Sequence, residues 1–68
     1  MRFKTIQSRM DNLDVAIESW VALKKDMKTP VETKFITVLG TEIRSEEYAL
    51  GGLCHVTYVT VLVGYEYV

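Results

Sequence analysis

The spacing of apolar side chains along this 68-residue chain switches from two residues to three or four, and then back to two. Residues 2–7, Arg-Phe-Lys-Thr-Ile-Gln, set β-forming side chains between charges. They predict a short edge strand, where Arg2 and Lys4 discourage strand addition. Over residues 9–28, Met10, Leu13, Ile17, Trp20, Val21 and Met27 recur at helical steps with Ala16 on the same side. Ser8 or Asp11 is placed to cap this predicted helix, Lys24, Lys25 and Lys28 suit the negative end of its dipole, and Pro30 stops it. Residues 31–43 alternate, and Val31, Thr33, Phe35, Thr37, Leu39, Thr41 and Ile43 form the face suited to a core. Gly40 marks a bulge or bend. Residues 44–52 predict a nine-residue loop ending in the Gly51-Gly52 turn signal.

The last segment, residues 53–67, carries the most information. One face reads Leu53, His55, Thr57, Val59, Val61, Val63, Tyr65, Tyr67; the other reads Cys54, Val56, Tyr58, Thr60, Leu62, Gly64, Glu66. Both are largely apolar, whereas a sheet covered by one helix should leave one polar face. A subunit or a ligand is therefore expected on the second face. Fifteen extended residues reach roughly 50 Å, so this strand must curl around the helix, with Gly64 as the bend, or project into a neighbour. The element order is β-α-β-β. A right-handed crossover runs strands one and two in the same direction, with strand three between them and antiparallel to both. The expected fold is a single α+β domain over residues 1–68, a curved antiparallel sheet of order 1-3-2 wrapped on one helix.

Composition narrows the function. Eight Lys and Arg against nine Asp and Glu leave a formal charge of -1, so no basic excess exists to neutralise a nucleic-acid backbone. Hydrophobic residues at 49% exclude a disordered tail. No apolar run approaches the length of a membrane helix, and the first residues predict no signal peptide. A domain this small has a marginal core. One cysteine, Cys54, cannot close a bridge within the chain, and one histidine, His55, leaves too few soft ligands for structural zinc. Homo-oligomerisation is the remaining device, and a lone thiol suits a reducing, cytoplasmic setting.

Candidate chemistry is sparse. Cys54 and His55 are adjacent on a strand and point to opposite faces, which removes a thiolate–imidazole nucleophile. His55 instead suits an interface, hydrogen-bonded or converging with its copies on a symmetry axis. Glu46 and Glu47 read as a solvated pair in the loop, and Trp20 as core or interface packing rather than a stacking platform. Glu42 and Arg44 share a strand face and can form a charge network at an interface, or Arg44 can bind a ligand phosphate. Tyr48, Tyr58, Tyr65 and Tyr67 suit edge packing, an interface or a pocket wall. We take Tyr58, Tyr48 and Arg44 as ligand-binding candidates, and Glu42, His55, Tyr65 and Tyr67 as interface candidates. The helix is expected to cover the sheet through Leu13, Ile17, Val21, Phe35 and Leu39.

Three stretches give the chain a resemblance to a known family. Leu13-Asp14-Val15-Ala16-Ile17 with Val21-Ala22 and Lys24-Lys25, then Thr41-Glu42-Ile43-Arg44, then Val59-Thr60-Val61-Leu62-Val63-Gly64-Tyr65, resemble in order the helix, second strand and closing strand of the dodecins. Dodecins are small flavin-binding β-α-β-β proteins that assemble into hollow dodecamers. The resemblance implies this topology, a homo-oligomer, and a flavin or nucleotide as ligand. The chain departs from the family where the flavin is held. Thr37 stands near the position of the ring-stacking Trp, and Tyr58 roughly at that of the flavin-bonding Gln. A short sporulation-protein family shares the element order. The expectation is a non-enzymatic oligomer that sequesters a planar or nucleotide-like ligand between subunits. The alternative is a small bacterial or phage-encoded module that docks on a host protein through the exposed apolar strand.

Overall fold

The β-branched run of the last segment builds the centre of the molecule. In the computed structural model, which describes residues 1–68, β1 (Arg2–Arg9) leads through a short 3-10 turn, Met10–Asn12, into α1 (Leu13–Asp26). Two long strands follow, β2 (Val31–Glu47) and β3 (Leu53–Tyr67). The sheet has the order β1-β3-β2, is antiparallel throughout, and is curved and unclosed. The expected topology and central strand are therefore present.

The core is the odd-numbered face of β3. Val59, Val61 and Val63 pack with Ile6 of β1 against Leu13, Ala16, Ile17 and Trp20 of the helix. Val61 and Val63 are wholly buried. Trp20 meets Tyr65 edge-on with ring centroids 4.8 Å apart, which makes the tryptophan a packing residue. Side chains alternate along a strand, so the even-numbered positions of β3 face away from the helix.

Several local expectations are corrected. The helix begins at Leu13 because Arg9 is still paired with Tyr58 in the ladder, and neither Ser8 nor Asp11 caps it; Asn12 occupies the cap without a side-chain bond. At the other end, Thr29 N–H bonds Lys24 O and Lys28 N–H bonds Lys25 O, a Schellman closure with Lys28 at φ 60°. The register of β2 slips between Thr33 and Phe35 and again between Val38 and Gly40. Each slip inserts one residue and exchanges the faces. Phe35 and Thr37 consequently sit opposite Gly64 and Leu62 on the outer face, while Ile36 and Val38 sit opposite Val63 and Val61 on the helix side. Leu39 lies within the second bulge, 56% exposed, and neither it nor Phe35 contacts the helix as expected. Val21 is half-buried outside the central cluster. Gly64 faces the first bulge of β2, and its missing side chain makes room for the Phe35 ring.

The first part of the predicted loop is strand. Arg44–Glu47 continue β2 because each faces a residue of the Leu53–Val56 segment, and the connection shrinks to Tyr48–Gly52. Gly51 and Gly52 supply the positive φ values of 84° and 106° that this turn needs. The resulting hairpin is longer than the helix. Fourteen helical residues span about 21 Å, whereas the molecule is 46 Å long and 12 Å thick. Its radius of gyration is 14.6 Å, against about 11 Å for a compact chain of this length. The hairpin therefore projects past the helix as an arm.

Candidate functional site

The arm places a chain of polar side chains on its outer face. Glu42 faces Tyr58, Arg44 faces Val56 and Glu46 faces Cys54 across the β2–β3 ladder, so these six side chains share one side. Arg44 Nη2 donates to Glu42 Oε2 at 2.8 Å. The Arg44 guanidinium lies over the Tyr58 ring, 4.3 Å from its centroid. The Tyr58 hydroxyl donates to Glu46 Oε1. Arg9 then reaches Glu46 Oε2 at 3.7 Å and Asp11 Oδ1 at 3.5 Å.

The electrostatics follow from these contacts. The hydrogen bond and charge of Arg44 hold the Glu42 carboxyl below its ordinary range, and Glu42 in turn raises the Arg44 guanidinium. The hydrogen bond to Glu46, helped by desolvation, raises the Tyr58 phenol. Three carboxylates, from Asp11, Glu42 and Glu46, stand against two guanidinium groups. The cluster thus carries a net charge of -1 and repels a free anion. Beneath it Val56 is only 9% exposed, although no helix covers this face. The long side chains themselves keep water from that part of the sheet.

The three ligand-binding candidates differ in circumstance. Tyr58 and Arg44 are stacked together. Tyr48 opens the turn at the tip, where its N–H bonds Gly52 O, and the nearby Cys54 thiol raises its phenol. The interface candidates lie on two faces. Glu42 belongs to the outer cluster. His55 is on the helix side, with Nδ1 3.4 Å from Ser45 Oγ. Tyr67 is 45% exposed beneath the cations of Arg2 and Lys24, at 4.9 and 6.0 Å from its ring centroid. Tyr65 offers little to a partner: it is 8% exposed, held between Trp20 and Tyr67, and burial raises its phenol.

Two members of the cluster escape a reading of the residues. Glu46 is half-buried and bonded to Tyr58 and Arg9 rather than solvated beside Glu47. Its parity with Glu42 and Arg44 is the signal, visible once the strand is extended past Arg44. Arg9 is hidden by assigning it to the helix.

Arg9, Met10, Asp11, His55, Val56 and Thr57 enclose an open notch of about 350 Å³ where the chain leaves the sheet. No three His, Cys, Asp or Glu side chains come together in a metal-binding group. No helix is long and apolar enough to cross a membrane. No protein-family model, curated protein or solved structure matches the chain.

Proposed function

We propose that this chain is a non-enzymatic, cytoplasmic, homo-oligomeric protein that holds a small planar ligand, a flavin or a nucleotide, between subunits on the outer face of its hairpin. The observation that carries the reading is the Arg44–Tyr58 stack. The guanidinium carbon lies over the phenol, Glu42 accepts a bond from its Nη2, and the Arg44 side chain remains 41% exposed. A planar ring laid on the guanidinium completes a sandwich on a group that Glu42 already holds. The net negative charge of the cluster favours recognition of the ring over recognition of a phosphate. A second subunit closing over the stack excludes water and strengthens the contact.

The test is a titration of riboflavin, its phosphate, adenosine and adenosine triphosphate against the assembled protein, followed by fluorescence or calorimetry. Arg44→Ala and Tyr58→Ala are expected to lower affinity for riboflavin and its phosphate equally. Selective loss of the phosphorylated form reassigns Arg44 to a phosphate. Failure of the assembled wild type to bind any planar ligand overturns the reading. A stable monomer that captures one specific protein favours the second reading, a docking module, which the exposed apolar side chains of β2 support.

A further inference from the structure

The two faces of the hairpin are finished differently. The outer face is closed over Val56 by the Arg44–Tyr58–Glu46–Arg9 chain. The helix side is bare. The helix packs on β1 and β3 and leaves a strip along β2 and the arm in which Ile36, Val38, Ile43 and Leu53 are 47%, 60%, 71% and 72% exposed. Between them stand Thr41 and Ser45 on β2 and His55 and Thr57 on β3, and the carboxylate of Glu47 lies opposite Leu53 at the end of the strip.

The sheet edges are poor docking sites. The open edge of β2 is interrupted by two bulges, and that of β1 carries Arg2, Lys4 and Arg9. Bulges and edge cations are devices that prevent strand addition. The elongated shape leaves a surplus of surface that approaches one partner's share of a standard interface. The chain exposes 4989 Å², roughly 600 Å² more than the ~4,400 Å² expected of a compact monomer of this mass. A standard interface buries about 800 Å² from each partner.

From these observations we infer that the helix-side strip Ile36–Val38–Ile43–Leu53 is an isologous interface, covered by the same strip of a second copy. On β2 the strip is uncharged from Ile36 to Ser45; two such stretches are self-complementary under a two-fold axis, and sheets stacked face to face sit about 10 Å apart. The arms cross, each covering the part of the other that its own helix leaves bare. This dimer is the unit from which the oligomer of the proposed function is built, and the inference rests on that reading. It leaves both copies of the Arg44–Tyr58 stack facing outward, open to a ligand and to further subunits.

The experiment is native mass spectrometry and size-exclusion chromatography of the wild type, Val38→Lys, Ile43→Lys and the outer-face control Thr37→Lys, with circular dichroism to check folding. The wild type is expected to assemble in even numbers. Both strip variants should dissociate with their spectrum intact, and Thr37→Lys should keep the dimer. As a check that avoids charge burial, Ile43→Cys in a Cys54→Ser background should give a covalent dimer with a short bismaleimide, and Thr37→Cys in the same background should not. Strip variants that remain assembled, or dissociation by Thr37→Lys alone, overturn this interface and leave the proposed function standing. A monomeric wild type overturns both.

Discussion

Phe35 lies across Gly64 on the outer face of the sheet, where a Cβ on the glycine would come within 2.7 Å of the Phe35 Cδ1 and Cζ carbons. Phe3 flanks the same glycine from the other side, opposite it in the ladder, with its ring centroid 6.1 Å from that of Phe35. Gly64→Ala should push the Phe35 ring off the sheet and cost about 1 kcal/mol, the scale of one aromatic pair. In a Phe35→Ala background the same change should become stabilising by about 0.5–1 kcal/mol, because alanine is favoured over glycine within a strand. Denaturant unfolding of the double-mutant cycle reads the sign change.

Val38 and Val61 face each other across the ladder, yet one is 60% exposed and the other wholly buried. Val61→Ala should cost about 2 kcal/mol, from lost transfer energy and the cavity left behind. Val38→Ala should stay within about 0.5 kcal/mol at dilutions where the chain is monomeric, and should cost more as concentration brings the strips together. Chemical denaturation over a concentration series separates the two.

This pair also shows what the residues reveal in advance. On β3 the alternation is unbroken, so both faces and its central place are readable from Val59, Val61 and Val63. On β2 two extra residues exchange the faces between Val31 and Thr41, and nothing about Lys34 or Leu39 announces a bulge; only Gly40 hints at one. The polar run Arg44–Glu47 reads as loop because its solvation is visible, while the ladder that extends it comes from the opposite strand. The site was legible in part for the same reason. Glu42, Arg44 and Tyr58 can be singled out from strand parity and chemistry. Glu46 and Arg9 join them only through the register of paired strands, which no local pattern encodes.

Lys28 closes the helix in the left-handed region, with φ 60°. A residue with a Cβ pays for that conformation, and glycine does not. Lys28→Gly should therefore stabilise the protein by about 0.5–1 kcal/mol, since the Schellman bonds use only backbone groups. Thermal unfolding would register this as a rise in Tm; a fall would show that the lysine side chain contributes more than its backbone costs.

The Tyr58 phenol is raised above the ordinary tyrosine value near 10, chiefly by its bond to Glu46. A group whose folded pKa is raised contributes stability that is complete below its unfolded pKa and is lost as pH rises through the folded value. The Tyr58–Glu46 contribution should accordingly be intact at neutral pH and vanish in the alkaline range above 10. Glu46→Gln should bring Tyr58 back toward the ordinary value, whereas Arg44→Ala should raise it further, because the guanidinium lowers it. Tyrosinate absorbance, taken as the difference from Tyr58→Phe, gives both directions.

Native mass spectrometry of freshly purified, undialysed protein reads subunit number and bound mass together. The expected result is an even-numbered homo-oligomer carrying the extra mass of a planar ligand, with that mass lost in Arg44→Ala while the assembly persists. A bare monomer would contradict it.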